Sequence, residues 1–418
     1  MRTYVIQIQT AQYNNILREM CEHSKRLFNS ALYELRQYSK ANGGKQMSYA
    51  ALDKHMRQTR KSVYYRLNSA ATQDILRVLD AARKGFFARL KKGESFKQNK
   101  PPKYIKDKGL FSVYLNQRSF RVTNHILKIT ISKYFRNRHN GERFLEFPFP
   151  KHLEDVCIKQ IEIKPLGYSR FELHFKYEEK EVKQVATKQK KYLSIDLGLD
   201  NLVSAISSEG DAFLISGKTL KAANQLYNKK VSKIQSQVDT EKHLLKKFKL
   251  KDKIFNTTQR RKRIVKDYLH KVSFQIVQYC VSNKINNIVI GYNKSWKSKI
   301  NIGRKNNQKF VQIPHSKLIK YIKYKAEPYG IECNTIEESY TSKCDSLALE
   351  TIEKHTKYLG RRVKRGLFVS SLGKALNADI NAAINILRKF LKRKNESSLL
   401  KKIVSSGHVF CPWHLAVT

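Results

Sequence analysis

The stretch YLSIDLGLDNLVSAIS, residues 192–207, constrains the architecture more than any other: two apolar runs of strand length flank a short set of turn-forming residues. It reads strand, turn, strand, and AFLIS just downstream supplies a third strand. Asp196 closes the first run and precedes Gly198, so its carboxylate emerges where the chain turns tightly. A second apolar run, Ile288 to Ile290 within INNIVIGYNKSW, is of the kind used by a central strand. Gly291 ends this run. Between the two runs lies a long basic helical region in which Val265, Tyr268, Val272, Ile276 and Tyr279 keep one apolar face. A helix across SKLIKYIKYKAEPYG, the strand IECNTIEE, an irregular segment and the helix NADINAAINILRKF follow. From Lys191 onward the texture is therefore α/β.

The chain before Lys191 reads differently. TYVIQIQ, residues 3–9, alternates apolar and polar as one strand does. From Gln12 to Lys92 the texture is helical, with Ile16, Met20, Leu27 and Ala31 on one stripe and Ile75, Leu79, Ala82, Phe86 and Leu90 on another. ANGGKQ interrupts this block, Asn68 or Ser69 is placed to cap its later helix, and the prolines of FKQNKPPKYIKDKG end it. SFRVTNHILKITI, VCIKQIEIKPLG and RFELHFKYEE return to strand texture and predict an antiparallel barrel that takes the first strand as a member. EEKEVKQVATKQKK reads as a linker.

Charge narrows the partner. Lys and Arg number 83 against 34 Asp and Glu, a formal charge of +49, far beyond what solubility requires. The basic residues are spread along the chain and interleaved with 22 Tyr and 20 Phe, a mixture suited to phosphate contact and base stacking rather than to a membrane surface. A packaging protein that needs only charge also fits this step. No apolar run reaches the ~18 residues of a membrane helix, and MRTYVIQIQT has no signal-peptide core, so a cytoplasmic protein with no membrane partner is expected. The six cysteines contain no CxxC pair, so neither a disulfide framework nor a zinc ribbon is written here.

In a chain poor in acids, three carboxylates stand out. Asp196 ends one strand, Glu338 with Glu337 beside it ends another, and Asp379 begins a helix with Asn377 as a possible cap. Converging carboxylates are what hard divalent metals require, and two such metals about 4 Å apart activate water and stabilise the leaving oxygen of a phosphodiester. Each acid alone is equally readable as a turn residue, a cap or an exposed strand end. Their order, strand Asp, strand Glu, helix Asp, is that of a ribonuclease H-like nuclease.

The segments IDLGLDNLVSA, ISGKTLKAANQLYNKK, DYLHKVSFQIV, NNIVIGYNKSWK, NNQKFVQIPHSKLI, EESYTSKCDSLALE and NADINAAINILRK together resemble the TnpB/OrfB proteins of bacterial insertion sequences, relatives of type V CRISPR effectors. The resemblance implies a multidomain α+β chain. Residues 1–10 and 96–185 correspond to a β-barrel wedge domain and 11–95 to a helical recognition insert. Residues 186–338 and 377–394 correspond to a RuvC-like nuclease domain, 339–376 to a degenerate zinc-ribbon-like insert that binds target nucleic acid, and 395–418 to a tail. It further implies an RNA-guided DNA endonuclease that binds a structured guide RNA from the transposon end, reads a short target-adjacent motif in double-stranded DNA, and cuts with two Mg²⁺ ions. A nuclease-inactive, RNA-guided repressor is the alternative, and the oligomeric state is left open.

Two departures from the family matter. Its glutamate at the end of the middle strand is replaced by Gly291, and a subset of the family resembles this chain in using a glutamate at the end of the later strand, which assigns Asp196, Glu338 and Asp379 as catalytic metal ligands. Glu338 is preferred to Glu337, whose side chain points to the opposite face of a regular strand. The four-cysteine zinc ribbon is reduced to Cys344, with His355 the other plausible ligand, so no zinc is expected. By residue type, the candidate nucleic-acid contacts are Lys103, Tyr104, Lys106, Lys108, Arg260, Arg261, Arg263, Lys297, Arg304, Lys309, Arg361 and Arg362. The basic cluster at 260–263 is equally readable as a solvated helix face. Tyr64, Tyr65, Phe86 and Phe87 are candidate stacking aromatics, although Phe86 belongs to an apolar stripe. Cys411 and His414 in the tail suggest a metal less readily than a partly ordered terminus.

Overall fold

The computed structural model describes residues 2–8, 12–107, 109–167, 169–178, 189–293, 313–364, 366–393 and 410–417. The chain divides into two compact units, Met1–Lys180 and Glu181–Thr418. Among the described residues no helix is long and apolar enough to cross a membrane.

In the first unit, strand β1 (Arg2–Gln7) leads into helices α1 (Asn14–Ala41), α2 (Tyr49–Thr59), α3 (Lys61–Tyr64) and α4 (Ser69–Lys91). The stripe on α1 buries Ile16, Leu17, Met20, Leu27, Ala31 and Leu35, the spacing that keeps one helix face on a core. Asn68 caps α4, accepting from the Ala71 amide at 2.8 Å, and its side-chain amide donates to the Thr130 carbonyl at 3.1 Å, tying helix to sheet. β1 pairs antiparallel with β7 (Arg170–Tyr177), followed by β6 (Ile158–Gly167) and β2 (Val113–Asn116). Strands β3 (Phe120–Thr123), β4 (Ile126–Thr130) and β5 (Phe144–Pro148) form a separate three-stranded sheet.

The first strand thus joins the later ones, and the strands expected to form an antiparallel barrel are hydrogen-bonded as two ladders among the described residues. The physical cause is local. The one-turn 3₁₀ segment Gln117–Ser119 redirects the chain between β2 and β3, so the two strands enter different sheets. Both sheets share one core, in which Leu115, Ile161, Leu173 and Phe175 meet Leu127, Ile129, Leu145 and Phe147. Tyr64 is no stacking platform: it is 1% exposed and its hydroxyl donates to Asp53. Phe86 is likewise core, whereas Tyr65 remains exposed.

The second unit is built on a six-stranded mixed sheet in the order β12, β11, β8, β9, β10, β16. Its members are β8 (Tyr192–Asp196), β9 (Asn201–Ser207), β10 (Ala212–Ser216), β11 (Asn287–Gly291), β12 (Glu332–Ile336) and β16 (Trp413–His414). β8 runs antiparallel to β9 and parallel to β11, which in turn is parallel to β12. Strict alternation buries both faces. Leu193, Ile195, Ile288 and Ile290 pack with Val272 and Ile276 of α7 (Leu244–Ser282) and with Leu318 of the helix His315–Ala326. Tyr192 and Val289 pack with Ile380, Ala383, Ile384 and Leu387 of the C-terminal helix Ala378–Arg393. Helix α6 (Lys218–Thr240) packs against α7 as a hairpin.

The described end of the tail, residues 410–417, carries a strand that the sequence did not mark. Trp413–His414 adds a parallel strand to β10, Leu415 donates to the Leu214 carbonyl at 2.9 Å, and Trp413 packs on Phe213 at 5.4 Å. An unpaired sheet edge is costly, and this short strand covers it. Between β12 and the C-terminal helix, β13 (Arg361–Lys364), β14 (Leu367–Val369) and β15 (Ala375–Asn377) form a small antiparallel sheet.

Candidate active site

Parity along the central strands aims the first carboxylate. Tyr192 and Ser194 face the C-terminal helix, where the Ser194 hydroxyl donates to the Ala383 carbonyl at 2.7 Å, so Asp196 projects from the same face two residues on. The tight turn beyond it is fixed from behind: buried His315 donates from Nε2 to the Gly198 carbonyl at 3.0 Å. A methyl at Gly198 would lie 2.4 Å from the Asn201 carbonyl oxygen, so this close approach requires glycine. Asp379 occupies the first turn of the C-terminal helix, which Asn377 caps by accepting from the Asp379 and Ile380 amides at 2.9 and 3.3 Å. Asn201, at the start of β9, donates to Asp379 Oδ2 at 3.0 Å and draws that carboxylate toward the end of β8.

Gly291 lies on the face of β11 that carries Val289, toward Ile386 of the C-terminal helix. A methyl group there would lie 2.4 Å from Ile386 Cδ1 and 2.9 Å from Glu338 Oε2. The Glu338 carboxylate therefore occupies space that a side chain at 291 would need. β12 ends at Ile336, opposite Gly291, so alternation along a strand does not by itself place Glu338. A turn beyond the strand holds it in place. The Glu338 amide donates to Asn293 Oδ1 at 3.2 Å, and Thr341 Oγ1 donates to the Glu338 carbonyl at 2.8 Å. Glu337 is exposed and accepts from Ser339.

Asp196, Glu338 and Asp379 line one cavity of about 620 Å³ together with Asn201, Asn293 and Arg362. Asp196 is half-buried, and burial followed by the charges of Glu338 and Asp379 pushes its carboxyl well above the usual range, against the pull of Arg362. Burial also pushes Glu338 up to about 7. Arg362 stands 3.6 Å from Asp379 Oδ1. Its type marked it as a nucleic-acid contact, but only the tertiary structure brings it among the carboxylates. Asn201 and Asn293 were not singled out in the sequence, where both lie within the quoted motif segments.

Hard oxygen donors lining one cavity suit a divalent cation, whose charge would offset the burial and the neighbouring charges that raise the Asp196 carboxyl. Among the described residues no three His, Cys, Asp or Glu side chains form a ready-made metal cage. A raised carboxyl binds its proton more tightly in the folded chain than in the unfolded one. Glu338 therefore adds full stability below its ordinary 4.5 and loses it as pH rises through about 7. In chelator, wild type should lose thermal stability relative to Glu338→Gln over that interval, by a few kcal/mol at most at ~1.4 kcal/mol per pKa unit. Melting curves check this, and parallel pH slopes would refute burial as the cause.

A zinc site does not fit the small lobe. Cys344 is buried, burial raises its thiol above the ordinary value, and its Sγ lies 3.7 Å from the Glu353 carbonyl. His355 is half-buried and bonded to Thr351. One protonated thiol and one imidazole are not the four ligands of a structural zinc.

The other candidate contacts are dispersed. Lys103 and Lys106 are exposed, and Tyr104 lies under the Arg36 guanidinium at 4.5 Å. Arg260 and Arg263 are exposed on α7, but Arg261 braces the hairpin through Asn224 Oδ1 at 2.7 Å and the Tyr227 ring at 5.2 Å. Arg361 is exposed on β13. Lys108, Lys297, Arg304 and Lys309 lie outside the described residues.

Comparison with known proteins gives several likenesses. Residues 174–297 match the family OrfB_IS605, probable transposase, and residues 315–386 match the Cas12f1-like TNB domain. The TnpB-like protein ORF457 of Acidianus two-tailed virus is 23% identical over 403 residues, covering 89% of this chain and 83% of the relative. Among solved structures, the Cas12f1-sgRNA-target DNA complex superposes with a TM-score of 0.62 at 16% identity, covering 90% of this chain and 83% of that one. The mini-RNA-guided endonuclease CRISPR-Cas_phi3 gives 0.49 at 12% identity, covering 93% and 92%. The first of these structures shows the multidomain α+β fold. The first matched family spans Asp196 and Gly291, and the second spans Glu338, Arg362 and Asp379.

Proposed function

We propose that this chain, a member of the TnpB family, is an RNA-guided DNA endonuclease whose hydrolytic site is the cavity lined by Asp196, Glu338 and Asp379. The observation that carries the reading is the fit of Glu338 Oε2 into the space beside Gly291: the acid missing from one strand end is supplied from the neighbouring one. Asp196 feels the charge of both other acids and would hold both of two Mg²⁺ ions, while Glu338 and Asp379 would each hold one. Bound there, the metal supplies an activated water and charge stabilisation at the leaving oxygen of a phosphodiester.

The chain's own groups prepare the site. His315 and the glycine turn fix the Asp196 backbone, and Asn201 fixes Asp379. Arg362 balances the carboxylates and is within reach of a phosphate entering the cavity. Arg362→Ala should lower cleavage roughly 100-fold, and Arg362→Lys should recover only part of it because an ammonium lacks the planar fork. Equal rates for wild type and Arg362→Ala in a single-turnover assay would remove Arg362 from the site.

A charge of +49 suits a chain that holds a structured RNA from the transposon end. In this reading the first unit contributes the wedge and recognition parts that read a target-adjacent motif, and the second contributes a RuvC-like nuclease with its target-binding lobe. Guide pairing carries the sequence information while the protein reads a short motif and backbone geometry. Lys103, Tyr104, Lys106, Arg260, Arg263 and Arg361 are the exposed candidates for these contacts. The protein would act inside the cell, where such DNA lies.

The test is cleavage of a plasmid library carrying a fixed target beside a randomised flank, using protein copurified with RNA from its own locus. Cutting that needs guide, flank and Mg²⁺ is the expected result. Guide-dependent binding without cutting would replace the enzyme with a repressor, and neither guide-dependent binding nor cutting would leave a plain RNA-binding protein.

A further inference from the structure

The small lobe between Thr341 and Asn377 is organised around a buried anion. Asp345 is fully buried, and five donors converge on its carboxylate. Oδ1 accepts from the Leu347 and Ala348 amides at 3.1 and 3.2 Å. Oδ2 accepts from the Ser370 hydroxyl at 2.8 Å, the Ser371 amide at 2.8 Å and the Ser371 hydroxyl at 3.1 Å. One side chain thus joins the beginning of the lobe to the turn after β14. A second buried acid repeats the device, since Glu350 accepts from the Asp345 amide at 2.6 Å and the Leu359 amide at 2.9 Å. Charge balance comes from the C-terminal helix, where buried Arg388 donates to the Glu350 carbonyl at 2.9 Å and the Asp345 carbonyl at 3.4 Å. Asn381 and Asn385 both donate to the Cys344 carbonyl, at 2.9 and 2.7 Å.

The same centre controls the root of β13. A methyl at Gly360 would lie 2.5 Å from Phe368 Cε1 and 3.0 Å from Asp345 Oδ2, so the backbone is pressed against both. Arg362, two residues on, is the side chain that reaches Asp379.

We infer that Asp345 does in this chain what a bound metal does in a zinc-ribbon lobe: it gathers the two ends of the lobe on one buried charge and so holds the β13–β14 hairpin with Arg362 at Asp379. Asp345 is a positioning residue, acting through the lobe and not on the substrate. A carboxylate inverts the logic of a metal site, because the backbone presents its N–H groups inward where a ribbon presents thiolates. An asparagine in its place would satisfy one set of donors and turn its own amide hydrogens on the other. The consequence for cleavage rests on the function proposed above, whereas the metal-free organisation of the lobe does not.

The test uses the full chain with its copurified RNA and three readouts. Elemental analysis should find zinc far below one atom per chain. In hydrogen exchange, Asp345→Asn should speed exchange across residues 359–371 by about tenfold or more, the loss of hydrogen bonds to a charged group, while residues 192–196 and 287–291 keep their protection. Ser370→Ala with Ser371→Ala is the milder variant and should shift the same peptides in the same direction. In single-turnover cleavage, Asp345→Asn should lose rate in the wild-type background and little further rate in the Arg362→Ala background.

Stoichiometric zinc, unchanged exchange at 359–371 in both variants, or losses that multiply in the double variant would each overturn the inference. If the wild type does not cut DNA, the nuclease reading fails, and the zinc and exchange measurements still decide whether Asp345 organises the lobe.

Discussion

Glu338→Ala should lower guide-directed DNA cleavage by on the order of 1,000-fold or more, while Glu337→Ala leaves it within a few-fold of wild type. The magnitude follows from the several kcal/mol that a metal-held phosphodiester transition state gains, at ~1.4 kcal/mol per tenfold in rate. The contrast follows from geometry. Glu338 lines the cavity with Asp196 and Asp379, and Glu337 is exposed and engaged with Ser339. Single-turnover cleavage of a matched plasmid reads both variants. Guide RNA retained on Glu338→Ala shows that the loss is chemical rather than a failure to assemble. Equal losses at the two positions would mean that the strand end matters and the carboxylate does not.

Gly291→Ala, a change of one methyl group, is expected to lower cleavage by at least about tenfold and to destabilise the protein by ~1–3 kcal/mol. The new carbon would stand 2.4 Å from Ile386 Cδ1 and 2.9 Å from the Glu338 carboxylate, so both side chains must shift to admit it. The same crowding decides whether a glutamate at the end of β11 can take over from Glu338. Gly291→Glu should fail to rescue Glu338→Ala, because removing the Glu338 side chain leaves the Ile386 contact in place. Adding Ile386→Ala opens that space and is the combination in which any rescue should appear. Rescue by Gly291→Glu alone would show that the backbone accommodates a side chain at 291, and the reading of the glycine as a packing requirement would fall. Thermal melts alongside the cleavage rates separate a displaced acid from a loosened sheet.

The strands and helices that frame this site were legible because their signals are local. The alternation in RFELHFKYEE, the apolar run Ile288 to Ile290 and the stripe from Val265 to Ile276 each state how a segment buries itself, whatever lies opposite. Asp196 and Asp379 were legible as a strand end and a helix start for the same reason. Asn377 met its expectation as a cap because a cap needs partners only two and three residues away.

What failed depends on distant partners. Tyr64 looked available for stacking, but a hydroxyl partner at Asp53 and a closed core settle its burial. The end of the tail offered no pattern long enough to read, because a two-residue strand exists only where β10 offers an edge. Arg361 and Arg362 were indistinguishable by type. One remains exposed on β13 and the other meets Asp379.

The sequence by itself determined the alternation of elements, a charge that calls for a polyanion, and the presence of three acids at element ends. The tertiary structure alone decided that Glu338 fills the space beside Gly291, that Arg362 stands among the carboxylates, and that Asp345 gathers the lobe where cysteines are missing. Periodicity is written in neighbours along the chain, whereas which side chain occupies a given space is fixed only when segments far apart in sequence are packed to the density of a protein interior.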